Sequence, residues 1–246
     1  MAEPDRQLDA RAARVTSRIP FLADLPRDER RRLGSRVHVR RLERAAVLWH
    51  EGAPTGEFMF VVAGRVKLVT FGADGRESIV DLRGPGQLLC SGAACVKAPY
   101  CCSAVVQTDG ARVAVLSRQD VLEAVGRHPT AVQALLREVT TCSMNLCRRI
   151  GELSGGLLER RLAMLLLRLA TQLGQPRDGG AIWIPVALSR QDLADLCGTT
   201  FESAIRTMSR FARERVVETH GGGFLVLDRQ RLEVLAAPAT STPDGR

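Results

Sequence analysis

Residues 189–227 read SRQDLADLCGTTFESAIRTMSRFARERVVETHGGGFLVL. Ser189 with Asp192 three residues on has the spacing of a capping box, in which each side chain satisfies the other's backbone N–H. This predicts a short helix that Gly198 closes. Thr199 or Thr200 then caps a second helix running to Arg215. Val216-Val-Glu-Thr-His220, the turn Gly221-Gly-Gly223 and Phe224–Leu227 read as a hairpin. Two helices across a tight turn, followed by a β wing, predict a winged helix-turn-helix.

Upstream of that motif, Ala181–Val186 reads as a short strand and Gln175–Gly180 as a loop. Leu157–Leu173 reads as a helix with Leu158, Leu162, Leu165, Leu166 and Leu169 on one broad face. Further back, Val132, Leu135, Val139, Cys142, Leu146, Ile150 and Leu153 recur at alternating three- and four-residue steps, a near-heptad stripe that ends at Ser154-Gly-Gly156. A long helix with such a seam needs a partner. A two-fold dimer supplies one, and packing on its own neighbouring domain is the alternative.

Residues 37–116 change period. Short apolar runs at 46–50, 58–62, 65–71, 77–82, 103–108 and 112–116 alternate with the glycine-bearing turns 51–56, 72–75, 84–86 and 109–110. This pattern predicts a β sandwich or barrel. Ala63-Gly64 and Asp74-Gly75 read as hairpin turns, because such positions tolerate positive φ.

The chain has 246 residues, 45% hydrophobic and 25% charged, the averages of a folded globular protein. No apolar stretch approaches the roughly 18 residues of a membrane span. The first residues lack the apolar segment and cleavage site of an export signal, so a cytoplasmic location is expected. The net charge of +8 sits mostly in residues 1–50, where 12 basic face 7 acidic side chains. That balance permits a polyanionic partner without requiring one.

Six of the seven cysteines fall between residues 90 and 147: Cys90, Cys95, Cys101, Cys102, Cys142 and Cys147. Cys197 stands apart and reads as a packing residue. Without an export signal, a disulfide framework is not expected, and metal or redox chemistry is the sharper reading. The bland reading is that free cysteine is a small buried hydrophobe. The spacing C-x4-C-x5-C-C is no zinc-ribbon pattern. Cys142 and Cys147 lie about 140° apart around a helix, so they do not chelate one ion as a pair.

On the segments Glu51-Gly-Ala-Pro-Thr-Gly-Glu-Phe-Met-Phe-Val-Val-Ala-Gly-Arg-Val-Lys-Leu68, Ser189-Arg-Gln-Asp-Leu-Ala194 and Glu202-Ser-Ala-Ile-Arg206, the chain resembles the cyclic-AMP receptor protein / fumarate-nitrate-reduction regulator superfamily over about residues 20–236. The resemblance implies an α+β fold: a cyclic-nucleotide-binding-like β jelly roll as sensor (20–126), a dimerisation helix (127–156) and a winged helix-turn-helix DNA-binding domain (157–236). Tails at 1–19 and 237–246 flank them. It implies a homodimeric transcription regulator that binds palindromic double-stranded DNA and works with RNA polymerase, not an enzyme. A cysteine-dependent thiol enzyme is the alternative; no His or acid lies in the stretch around Cys90–Cys102, although the fold could bring one close.

The resemblance also implies roles. Arg206 matches the family's guanine-reading arginine, and Glu202 can accept from a cytosine amino group. The plain alternative for these two is an i,i+4 surface pair worth a few tenths of a kcal/mol. Phe201 and Ile205 stand where relatives carry other residues, and they bear on base preference. Ser189, Arg190, Thr199, Thr200 and Arg210 are placed for phosphate contacts, which position without specifying. The family's nucleotide pocket is altered: Leu89-Cys90-Ser91-Gly92-Ala93 lacks its acidic residue, and in Cys101-Cys102-Ser103-Ala104 a cysteine replaces the phosphate-binding arginine. Cyclic nucleotide is therefore not expected. By the same matching, Cys90 and Cys95 flank the pocket mouth, one of Cys101 and Cys102 faces inward, and Cys142 and Cys147 lie on the dimer helix. An iron–sulfur cluster held by a subset of the six is the leading expectation. A thiophilic metal or metalloid and a thiol switch remain open, whereas haem is disfavoured because none of His38, His50, His128 and His220 lies in the Cys90–Cys102 segment.

Overall fold

In the run Phe58-Met-Phe-Val61 every side chain is buried, although neighbours on a strand point to opposite faces. Such a strand must be covered on both sides. A computed structural model, which describes residues 19–72, 77–154 and 156–237, shows how. Phe58 and Phe60 enter one apolar cluster with Phe21, Leu22, Leu33, Ala114 and Leu116. Met59 and Val61 enter another with Trp49, Val66, Leu68, Val113 and Val115. The first cluster lies under helices and the second lies within the roll.

The chain divides into two compact units, with the boundary between Asn145 and Leu146. The first begins with two short helices, α1 (Pro20–Ala23) and α2 (Arg27–Gly34). The strands β1 (His38–Leu42), β2 (Val47–Trp49), β3 (Glu57–Ala63), β4 (Val66–Phe71), β5 (Glu77–Arg83) and β6 (Leu88–Leu89) follow. After helix α3 (Ser91–Val96) come β7 (Ser103–Val106), β8 (Ala111–Ser117) and helix α4 (Arg118–Gly126). They form two four-stranded sheets, β1-β8-β3-β6 and β2-β7-β4-β5, antiparallel at every pairing. This is the jelly-roll arrangement.

One expected hairpin is absent. β3 pairs with β8 and β6, while β4 pairs with β5 and β7, so Ala63-Gly64 carries the chain from one sheet to the other. The glycine is needed all the same. Gly64 has φ +80°, and a Cβ there would stand 2.5 Å from Thr108 Oγ1 and 2.8 Å from Ala111 Cβ. The Asp74-Gly75 turn lies outside the described residues, but the strands it joins do pair, Phe71 opposite Glu77. The expected tails, but for Ile19 and Ala237, and Gly155 also lie outside them.

The long helix α5 spans Pro129–Ser154. Ala131, Ala134 and Leu135 pack into the helix-covered cluster of the roll. Val132, Leu136, Met144, Leu146, Ile150 and Leu153 are exposed. Of the expected seam, Leu135 belongs to the core and Val139 and Cys142 are half-buried, whereas Leu136 joins the open stripe. No helix among the described residues is long and apolar enough to cross a membrane.

In the second unit, α6 (Leu158–Leu173) buries Leu162, Leu165, Leu166 and Leu169. The strands β9 (Gln175–Pro176) and β10 (Ile182–Ile184) precede helices α7 (Arg190–Cys197) and α8 (Phe201–Arg213). The wing is β11 (Val217–His220) and β12 (Gly223–Val226), and helix α9 (Arg229–Ala236) packs on α6. The small sheet has the order β11-β12-β10-β9.

Phe58 is fully buried, and its ring lies 6.2 Å from that of Phe21. Phe58→Ala is expected to cost about 3–5 kcal/mol, the usual range for truncating a core aromatic. A urea unfolding curve checks it: the midpoint should fall without loss of slope.

Candidate nucleic-acid interface and thiol cluster

The two helices of the motif are set by their caps. The Ser189 hydroxyl accepts from the Asp192 N–H at 3.0 Å, and the Asp192 carboxylate accepts from the Ser189 N–H at 2.8 Å, the reciprocal bonds read from the sequence. Gly198 ends α7 in the left-handed region (φ +58°), and the Thr199 N–H returns to the Ala194 carbonyl at 2.9 Å. This tight turn aims the next helix. Thr200, not Thr199, caps α8 by accepting from the Ser203 N–H. Removing the first cap, Ser189→Ala, is expected to lower stability by about 1 kcal/mol. Thermal unfolding would read that as a small drop in midpoint.

Helix α8 is sharply two-sided. Ala204, Thr207, Met208 and Phe211 are buried, whereas Phe201, Glu202, Ile205, Arg206 and Ser209 face outward. Phe201 is 42% and Ile205 37% exposed. Two large apolar side chains thus stand open beside a carboxylate and a guanidinium. A DNA major groove offers thymine methyls to the apolar pair and base edges to the charged pair. Arg206 donates to Ser203 Oγ at 3.2 Å instead of pairing with Glu202, and Ser203 Oγ in turn lies 3.0 Å from Thr200 Oγ1. The plain ion-pair alternative is therefore not what this helix displays.

The residues expected at phosphates divide. Ser189, Thr199 and Thr200 stand at the helix starts, where N–H groups and dipoles favour anions. Arg190 is half-buried and donates to Thr219 of the wing at 3.0 Å. Arg210 is ion-paired with Glu159 of α6 and lies 3.9 Å from Glu214. Its charge is already engaged within the unit, so a phosphate contact by Arg210 requires an exchange of partners.

In the roll, Cys90, Cys101 and Cys102 bring their sulfurs within 4.8 Å of one another, and Cys90 Sγ lies 3.6 Å from Cys102 Sγ. The expectation that only one of Cys101 and Cys102 could face the pocket rested on strand pleat. The pair lies in a bend just before β7, so pleat alternation does not apply. Cys90 itself is left-handed (φ +47°, ψ +49°) where β6 hands over to α3. Sharing a hydrogen bond with Cys90, together with burial, pushes the Cys102 thiol far above the usual range. Burial raises Cys101 as well.

The other cysteines lie outside this group of three. Cys95 packs against the helix-covered cluster, where burial raises its thiol pKa although Arg118 opposes the shift. Cys142 accepts from Arg83 at 3.3 Å. Arg83 is buried; burial works against its charge, but Asp81 at 2.9 Å and Cys142 more than offset that and hold the guanidinium charged. The sequence reading missed this contact, for which only an Arg before the Gly84-Pro-Gly86 turn was a sign. Cys147 is exposed on the second unit, and Cys197 is buried in α7.

Residues 160–235 match the family model for a Crp-like helix-turn-helix domain, and residues 39–128 match that for a cyclic nucleotide-binding domain. The chain belongs to the CRP/FNR superfamily. It is a DNA-binding transcription regulator of that type. It is 24% identical over 189 residues to the CRP-like cAMP-activated global transcriptional regulator of Mycobacterium tuberculosis, covering 77% of this chain and 84% of the relative. It is 27% identical over 223 residues to the probable transcriptional regulator flp of Lacticaseibacillus casei, covering 90% and 97%. The solved structure of FixK2 from Bradyrhizobium japonicum shares the fold, with TM-score 0.71, 23% identity and coverage of 82% of this chain and 98% of that one. These CRP/FNR relatives are regulators and not enzymes.

An iron–sulfur cluster is held by about four thiolates. Among the described residues three sulfurs lie within 4.8 Å of one another, one thiolate short of that set. The residues brought together do not fit a four-thiolate cluster.

Proposed function

We propose that the protein acts as a homodimer that reads a palindromic duplex, and that its thiol-bearing roll takes the signal that sets DNA affinity. The observation that carries the reading side is the open face of α8, with Phe201, Glu202, Ile205 and Arg206 outward at its N-terminal end. A recognition helix enters the major groove by that end. Arg206 would meet guanine O6 and N7, Glu202 a cytosine amino group, and Phe201 and Ile205 thymine methyls. Ser189, Arg190, Thr199 and Thr200 would hold the backbone, and Arg210 would join them after leaving Glu159.

Dimerisation is supported by the exposed apolar row on α5. Leu136 and Ile150 are 63% and 64% exposed and lie two heptads apart on the helix. Such a stripe on a long helix is buried most economically against its own copy. A dimer bound beside a promoter would also be placed to touch RNA polymerase, and the work would take place in the cytoplasm.

The signal is read as thiol-borne. The M. tuberculosis relative is named as cAMP-activated. Here three thiols occupy the segments that match the nucleotide pocket, and the buried Arg83 is tied to Asp81 and Cys142. Thiols do not replace a guanidinium at a phosphate, which supports an effector other than cyclic nucleotide. Native mass spectrometry on a duplex carrying the bound sequence tests the assembly. Two chains per duplex are expected, and one chain per duplex would overturn it.

A further inference from the structure

We propose that Cys90, Cys101 and Cys102 form a site for one soft, thiophilic ion held by three thiolates. This deepens the thiol-borne signal proposed above and rests on it for its biological use, though not for its chemistry. Two sulfurs bound to a single ion at about 2.3 Å lie about 3.8–4.0 Å apart, in tetrahedral or trigonal geometry. Cys90 and Cys102 are already at 3.6 Å, and all three sulfurs fall within 4.8 Å. Binding would need only small side-chain movements.

The surroundings hold the donors in place. The Trp49 indole N–H donates to the Cys102 carbonyl at 2.8 Å. The Gly52 N–H donates to the Tyr100 carbonyl at 2.8 Å, and the Tyr100 N–H to the Ala53 carbonyl at 3.0 Å. The Tyr100 ring stacks on Trp49 at 4.2 Å. The Glu51 N–H donates to Ser103 Oγ at 2.9 Å. The bend bearing Cys101 and Cys102 is thus fastened on both sides by groups that are not ligands, as outer-shell support of a metal site requires.

The donor chemistry selects the ion. The group is all sulfur, with no imidazole or carboxylate in it. Such a set favours soft ions over hard ones. Zinc ordinarily completes a tetrahedron with a fourth ligand, whereas cadmium, copper(I) and trivalent arsenic accept three sulfurs. A peroxide-sensing thiolate would instead need a cationic neighbour. Arg118 is engaged elsewhere, donating to the Ala94 and Cys95 carbonyls. When cadmium or copper(I) binds, each thiol gives up one proton to solvent, so binding weakens as pH falls; arsenous acid would instead release one water for each sulfur bound.

The test titrates the reduced full-length protein with cadmium alone, followed by thiolate-to-metal charge-transfer absorbance and by metal retained after desalting. One ion per chain is expected, with at least tenfold weaker binding in Cys90→Ser, Cys101→Ser and Cys102→Ser and none of that loss in Cys95→Ser, Cys142→Ser or Cys147→Ser. Cys101 is exposed, so its variant keeps the test open if a buried one fails to fold. Tight binding that survives both Cys90→Ser and Cys101→Ser would overturn the site, and so would iron and sulfide in place of a single ion after anaerobic purification. A correctly bound ion that leaves DNA affinity unchanged would support the site while refuting the signalling role.

Discussion

Arg206→Ala is expected to weaken binding to the preferred DNA sequence by about 5- to 150-fold per half-site, corresponding to the roughly 1–3 kcal/mol of a bidentate arginine–guanine contact. The loss should be selective. Fluorescence anisotropy on the preferred duplex and on duplexes substituted at single base pairs should show that the variant no longer distinguishes one G·C pair in each half-site. Arg206 is outward on α8 and, among the described residues, bonded only to the Ser203 hydroxyl, so its removal leaves the buried face of Ala204, Thr207, Met208 and Phe211 intact. Equal affinity of variant and parent would mean that α8 does not read bases through Arg206. A uniform loss across all sequences would make Arg206 a phosphate contact instead.

The second large effect concerns the α5 stripe. Leu136→Glu with Ile150→Glu should convert the proposed dimer to monomer at micromolar concentration and reduce affinity for the proposed palindrome by about 10²–10⁴-fold, the avidity lost when two linked half-sites are engaged separately. Both side chains are exposed in the single chain, so circular dichroism should be unchanged. Sedimentation velocity reads the assembly and anisotropy reads the affinity. A dimer that survives both charges would move the interface away from this stripe.

The winged motif was legible because its signals are local. Ser189 and Asp192 lie three residues apart and close the capping box with no help from the rest of the chain. The α5 periodicity was equally local, yet sequence could not tell Leu135 from Leu136. They are neighbours on the helix, and only the roll decides which is covered. The sheet pairing was less legible for the same reason. Gly64 needs positive φ whichever strand follows, so its turn looks like a hairpin when it in fact crosses between sheets. β1 went unread as a separate strand because His38-Val-Arg-Arg-Leu42 is an exposed edge with no apolar alternation. The helix α9 lay beyond the wing, where no motif called for it.

The thiol cluster was half legible. Six cysteines in one region pointed to soft-ligand chemistry, but C-x4-C-x5-C-C matches no local metal motif. The convergence depends on two backbone features that sequence hides: the left-handed conformation at Cys90 and the bend at Cys101-Cys102. They bring residues eleven and twelve positions apart together while leaving Cys95, between them, in another cluster.

The central claim is a symmetric reader of DNA, and selection of bound sequences from a random duplex pool by the purified protein tests it most directly. The enriched sequence should be an inverted repeat whose half-sites are centred about 34–36 Å apart, one helical turn, with a G·C pair at the Arg206 position of each half. Enrichment of a single unrepeated site, or no enrichment in either reduced or metal-loaded protein, would contradict it.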